Sequence, residues 1–161
     1  MEGKKSRPRA IFVFGAPCSG KTTFGESFAK HFNIGFFDLA TLRSENDLSR
    51  KVILLILEQI AKTGQTVVLE GELGTEKERR EIRRIFRAAG YLTSTIWLQT
   101  DIKTIRSRLK ARYKSVAEAK TIYDSVIPKL EAPSEAESPI ILSGKHTFDS
   151  QMKQVLAALS K

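Results

Sequence analysis

Residues Gly15-Ala16-Pro17-Cys18-Ser19-Gly20-Lys21-Thr22 have the form GxxxxGK[ST], in which every fixed position has a chemical task. Gly15 and Gly20 let the backbone wrap tightly enough for its N–H groups to point at phosphate oxygens. Lys21 brings an ammonium to the β- and γ-phosphates of a nucleotide, and the Thr22 hydroxyl can ligate Mg²⁺. With Thr23 opening a helix behind them, Gly15 to Thr23 form the expected phosphate-binding set, aided by the positive end of that helix. Cys18 is read as a small residue filling the turn, whose alkylation would block the loop.

A phosphate loop alone does not define a reaction. Asp38 closes a short apolar run, where a carboxylate can take the proton from a hydroxyl attacking the γ-phosphate. The same residue type also serves as a helix N-cap. Arg43 follows and could hold an anionic acceptor. Glu70 and Glu72 flank Gly71 after a second apolar run. Glu70 could orient a Mg²⁺-bound water, and Glu72 could do so instead or orient acceptor hydroxyls. Between Asp101 and Arg112, cations fall into two stripes four residues apart, Arg106 with Lys110 and Arg108 with Arg112. Ile105 and Leu109 read as core, so Arg108 and Arg112 are the pair expected to meet a transferring phosphoryl group.

These residues need a scaffold that brings them to one edge. Ala10 to Phe14 is an apolar run ahead of the loop and reads as a buried strand, with a helix from Thr23 to Phe32. Ile34 to Phe37 predicts a second strand ending at Asp38. Residues 47–63 predict a helix opened by Asp47 and closed before Gly64. Val67 to Leu69 is a third strand, residues 75–89 an amphipathic helix closed by Gly90, and Leu92 to Leu98 a fourth strand containing Trp97, read as core or sheet edge rather than a base-stacking platform. A helix capped by Thr100 or Asp101 runs to about Arg112. Ile140 to Leu142 and Phe148 to Leu159 are the last strand and helix. This alternation predicts an α/β fold, a parallel sheet covered on both faces, with ligands at the C-terminal ends of its strands.

The 161 residues suit one domain, 41% hydrophobic and 28% charged, after a charged lead-in over residues 1–9 expected to be disordered. The longest apolar run, Val52 to Leu57, is too short to span a bilayer. A charged N-terminus and a single cysteine predict a cytoplasmic protein. The net charge of +9 is concentrated in segments 1–9, 76–87 and 103–114. The arginines of 76–87 alternate with glutamates and read as ordinary surface pairing. Segment 103–114 contains six cations and no acid, and is expected to face phosphates.

The phosphate loop, Asp38, Leu69-Glu70-Gly71 and the stretch from Trp97 to Arg112 resemble the small phosphate-loop kinases related to nucleoside-monophosphate kinases. That group includes gluconate and shikimate kinases, zeta-type toxin kinases and polynucleotide 5′-hydroxyl kinases. Leu130-Glu131-Ala132-Pro133-Ser134-Glu135 is similar to the segment after the lid in the polynucleotide kinases. The resemblance implies a three-layer fold with a five-stranded parallel sheet in the order 2-3-1-4-5 and an arginine-bearing lid. It also implies ATP/Mg²⁺-dependent transfer to a hydroxyl, with Asp38 as base, and an adenine-side loop at Ser143, Gly144 and His146. Polynucleotide kinases often carry an acceptor-gripping arginine three residues after the base, where this chain has Thr41 and only later Arg43. The expected acceptor is a polynucleotide 5′-hydroxyl or nucleotide-like group, the alternatives a sugar, metabolite or nucleoside monophosphate, or no acceptor in an ATPase switch. No Asn-Lys-x-Asp run points to GTP, and a monomer or weak dimer is expected.

Overall fold

The computed structural model describes residues 6–160. Five parallel strands, β1 (Arg9–Gly15), β2 (Gly35–Asp38), β3 (Val67–Glu70), β4 (Leu92–Gln99) and β5 (Ile140–Ser143), pair in the order 2-3-1-4-5. The central β1 pairs with both β3 and β4, and is buried from Ala10 onward. Its alternation divides the core. Phe12 and Phe14 face one layer, with Ile53 and Leu57 of α3 (Arg50–Lys62) and Ile82 and Phe86 of α4 (Glu76–Ala88). Ile11 and Val13 face the other, with Phe24 and Phe28 of α1 (Lys21–Phe32) and Val155 of α7 (Phe148–Leu159). Each large side chain so buried contributes about 1.5–3 kcal/mol against exposure.

Two helices not read from the sequence complete the chain among the described residues, the short α2 (Leu39–Glu45) and α6 (Val116–Val126). α6 packs on α5 (Ile102–Arg112) through Ile105, Leu109 and Ala119, and Ala16 and Cys18 of the phosphate loop pack against the same cluster. The lid is therefore a helix pair seated on the loop.

The helix expected from Asp47 begins at Arg50 instead. Ser49 accepts from the Val52 amide as its N-cap, while Asp47 adopts a left-handed φ of 49° in the turn before it. Both residue types cap helices, and the tighter turn falls on Asp47. The charged lead-in is shorter than expected. Residues 1–5 lie outside the described residues, but the Pro8 carbonyl accepts from the Leu92 amide and Arg9 already belongs to β1.

The larger correction concerns α4, whose arginines read as surface charge. Arg79 is fully buried, donates to both carboxylate oxygens of Glu137 at 2.8 and 3.0 Å and to the Leu73 carbonyl at 2.9 Å, and lies over the Phe14 ring. Arg83 adds a further bond to Glu137 at 2.9 Å. Burial pulls the Glu137 carboxyl up, but the bonds from Arg79, Arg83 and the Ser134 amide more than offset it, holding it at about 2. The pair fastens the segment before β5 to α4.

Candidate active site

The C-terminal ends of β1, β2 and β3 meet in one cleft of about 630 Å³, lined by Lys21, Thr22, Asp38, Glu70, Arg108 and Arg112. The register places Asp38 beside Glu70 on adjacent strands and Glu70 beside Val13, two residues before Gly15 opens the loop. Gly20, with φ of 99°, turns the loop into α1. A Cβ on Gly15 would stand 2.5 Å from the Leu98 carbonyl oxygen, so only glycine lets the loop pass over the end of β4. Ser19 is fully buried beneath the loop, and its amide donates to the Ala16 carbonyl at 3.1 Å.

Lys21 folds over the loop and donates to the Ala16 carbonyl at 2.9 Å. Burial lowers its pKa, opposed by the nearby Glu70 carboxylate. Thr22 Oγ1 donates to Glu70 Oε1 at 2.9 Å. Glu70 is 6% exposed, and its second oxygen, Oε2, is buried without a hydrogen-bond partner among the described residues. Burial raises the Glu70 pKa, with Lys21 and the Thr22 bond pulling the other way. Desolvation thus pushes both groups toward neutrality, and an anionic ligand with a bridging cation would relieve both.

Asp38 lines the cleft and also caps α2, accepting from the Thr41 amide at 3.1 Å and the Thr41 hydroxyl at 2.6 Å. The capping reading of this residue is met, and the capping residue lines the cleft. Arg108 spans two loops, donating to the Cys18 carbonyl and the Gly144 carbonyl, each at 3.1 Å. One turn on, exposed Arg112 lines the cleft without a carboxylate partner among the described residues. Arg106 points elsewhere, over the Tyr123 ring at 4.9 Å. The phase of α5 set by Ile105 and Leu109 thus sends Arg108 and Arg112 toward the loop.

Gly144 follows β5, and a Cβ there would meet the Ser19 carbonyl oxygen at 2.3 Å, so this turn docks directly on the phosphate loop. Gly144 and exposed His146 line the cleft with Cys18, Pro17, Gly20 and Thr23. Ser143 instead lines a separate cleft, with Trp97, and its carbonyl accepts from Gln151 at 2.8 Å. Trp97 packs against Phe14 with ring centroids 6.3 Å apart, as a core residue. Arg43 and Glu72 are not brought into the phosphate cleft. Arg43 Nη1 donates to Glu72 Oε2 at 2.8 Å, and Arg50 donates to the same oxygen at 3.1 Å. Arg79 and Glu137 escaped the sequence reading because 58 residues separate them.

Within the described residues, no helix is long and apolar enough to cross a membrane. A phosphate loop at the end of the central strand, in a 2-3-1-4-5 parallel sheet beneath a helical lid, defines a P-loop kinase fold. The chain belongs to the AAA domain family, which matches residues 11–133. No curated protein matches the chain. Among solved structures it is similar to a gluconokinase from Sinorhizobium meliloti 1021, at a TM-score of 0.72 and 18% identity over 96% of this chain and 93% of that one. It is similar to the APS kinase of Mycobacterium tuberculosis, solved with AMPPNP and APS, at a TM-score of 0.69 and 17% identity over 96% and 99% of the two chains. Chaetomium thermophilum Kti12, solved with ADP-AlF3, aligns at a TM-score of 0.70 and 16% identity over 93% and 96%. The likeness is one of fold and does not single out polynucleotide kinases.

Proposed function

We propose that the protein is an ATP- and Mg²⁺-dependent phosphotransferase acting on the hydroxyl of a small acceptor of sugar or metabolite size. One observation carries the reading: the phosphate loop and the Asp38 carboxylate line the same cleft, with cations from α5 closing it. The acceptor oxygen attacks the γ-phosphorus, the bond from that phosphorus to the β–γ bridging oxygen breaks, and ADP leaves with the electron pair. Asp38 takes the hydroxyl proton. Lys21 and the loop amides hold the phosphates, and Arg112 faces the transferring group. The orphaned Glu70 Oε2 and the Thr22 hydroxyl fit a hydrated Mg²⁺, which when bound would neutralise phosphate charge.

A second reading, a polynucleotide 5′-hydroxyl as acceptor, is favoured by α5. None of Lys103, Arg106, Arg108, Lys110, Arg112 and Lys114 has a carboxylate within 4.0 Å among the described residues. Transfer from γ-³²P-ATP to a panel of sugars, nucleosides, nucleoside monophosphates and 5′-hydroxyl oligomers tests both. Label on a sugar-sized acceptor, lost with Lys21→Ala, supports the first reading. Label on oligomers alone, with a KM that climbs steeply with salt, supports the second. Label appearing only as free phosphate refutes the kinase reading in favour of an ATPase.

A further inference from the structure

We infer that the acceptor is an uncharged, hydroxyl-rich small molecule, and that Glu72 is the residue that selects it. The inference rests on the kinase reading above and concerns the side of the site away from the nucleotide. Beyond Lys21 the phosphate cleft continues into a recess of about 180 Å³, lined by Phe14, Pro17, Lys21, Gly71, Glu72 and Leu130. Pro17, Lys21 and Gly71 line both spaces, so a group in the recess lies beside the end of the phosphate chain. At about 30 Å³ per water, the recess holds on the order of six waters, the room of a single sugar ring.

Its polar equipment is one-sided. Lys21 is the recess's one cation among the described residues, and it belongs to the phosphates. The two guanidiniums that reach Glu72, Arg43 and Arg50, line neither space and both donate to Glu72 Oε2, at 2.8 and 3.1 Å. Arg43 is further held by the Leu48 carbonyl at 3.2 Å. Arg50 is further held by Glu81 at 2.9 Å and Glu78 at 3.6 Å. Three carboxylates thus surround two guanidiniums, and the cluster offers no free positive charge. Glu72 Oε1, in contrast, has no hydrogen-bond partner among the described residues. A carboxylate oxygen in that state accepts from a hydroxyl and repels a second anion.

The backbone supports the same assignment. Glu72 adopts a left-handed φ of 55°, a conformation that a non-glycine residue holds only when its surroundings demand it. The preceding Gly71, with φ of 79°, lies so close to α2 that a Cβ would meet the Ala40 amide nitrogen at 2.6 Å. The turn after β3 is therefore fixed from both sides, and it holds Glu72 at the recess rather than in solvent. An acceptor bearing a carboxylate or phosphate meets Glu72 with no counter-charge. A neutral polyol satisfies Oε1 and leaves the arginine cluster intact. Sites built to bond a substrate hydroxyl discriminate strongly, because the wrong ligand leaves buried polar groups unpaired.

The test is transfer from γ-³²P-ATP to paired acceptors: glucose with gluconate and glucose 6-phosphate, ribose with ribose 5-phosphate, and sorbitol and inositol. Wild type and the near-isosteric Glu72→Gln are compared. Wild type is expected to label a neutral member and to disfavour its charged counterpart by at least about tenfold in kcat/KM. Glu72→Gln removes the charge and releases Arg43. It is expected to raise KM for the neutral acceptor, leave KM for ATP unchanged, and shift the charged-to-neutral ratio toward the charged acceptor by about tenfold. A wild type that prefers the acid, the sugar phosphate or an oligonucleotide overturns the inference without touching the kinase reading, and needs no variant to do so. An unchanged ratio in Glu72→Gln overturns the role of Glu72. ATP hydrolysis with no label on any acceptor overturns the kinase reading and this inference with it.

Discussion

Asp38 caps α2 and is the proposed base, and two substitutions separate the two roles. Its oxygens accept from the Thr41 amide and hydroxyl at 3.1 and 2.6 Å, which starts α2 and aims the carboxylate into the cleft. Asp38→Ala removes the cap at a cost of about 1 kcal/mol. In a chain of this length, that lowers Tm by roughly 2–4 °C. It also removes the proton acceptor, with a rate loss of about 10²–10⁴-fold, or roughly 2.7–5.5 kcal/mol of transition-state stabilisation. Asp38→Asn keeps an oxygen for the Thr41 amide and is an equally good cap, so its Tm stays within ~2 °C of wild type. An amide cannot take the proton, so kcat should fall as far as in the alanine variant while affinity for a non-hydrolysable ATP analogue is unchanged. The assay is initial-rate phosphoryl transfer at saturating ATP, beside thermal unfolding of each variant. If Asp38→Asn transfers within about threefold of wild type, against the losses expected of a missing general base, Asp38 is a cap and nothing more.

Glu70→Gln should separate stability from function in the opposite direction. Burial raises the Glu70 pKa above its ordinary value, so its ionised form costs the folded state. The stability this group adds is present below its unfolded pKa and is lost as pH rises through the higher folded value. At pH 7–8 the glutamine variant is expected to melt at or above wild type while Mg²⁺-dependent turnover drops, and a clearly lower Tm would refute this. Arg79→Ala strips Glu137, with a side chain 3% exposed, of its fully buried partner and leaves only Arg83 and the Ser134 amide bonded to it. The loss is about 3–5 kcal/mol, roughly 6–20 °C in Tm, and a smaller shift in calorimetry would show that the pair is dispensable. Because Glu137 is held at about 2 against an ordinary 4.5, its contribution is present above pH 4.5 and fades as pH falls toward 2. Wild type should therefore lose stability over that interval more steeply than Glu137→Gln, as read by thermal melts across the range. Gly144→Ala places a Cβ 2.3 Å from the Ser19 carbonyl oxygen and should lift the β5–α7 turn off the phosphate loop. Calorimetric titration is expected to show nucleotide affinity weaker by at least about tenfold, or ~1.4 kcal/mol, and unchanged binding would refute the contact's importance.

The parts of the site legible in the sequence are those whose geometry is local. The phosphate loop is contiguous, so Gly15 to Thr22 declare their arrangement by type and spacing. Arg108 and Arg112 are legible through phase, because Ile105 and Leu109 had to face the core and the helix period then fixed the other positions. What was not legible depends on distant partners. Arg79 sits among glutamates one to three residues away, Glu76, Glu78 and Glu81, and reads as surface charge until Glu137 arrives from beyond the lid. Arg43 reads as a free cation because Glu72 and Arg50 reach it from other elements. α6 was missed because only Ala119 of its residues is fully buried, leaving little hydrophobic period to read.

These pairings give the site an electrostatic asymmetry that bears on how it would work. On the nucleotide side, Lys21, Arg108 and Arg112 are free of carboxylate partners closer than 4.0 Å among the described residues. On the other side, Arg43 and Arg50 are neutralised by Glu72, Glu78 and Glu81. Field lines from the free cations converge on the space above the loop, which draws a polyphosphate toward it. Arg108 is bonded to the carbonyls of Cys18 and Gly144, which seats α5 on the loop. In the proposed mechanism Arg112, one turn beyond that anchor and exposed at the cleft, is the cation that meets charge developing between the γ-phosphate and the leaving group. The arrangement follows from the helix period: the same face that fixes the lid through Arg108 presents an exposed guanidinium at Arg112.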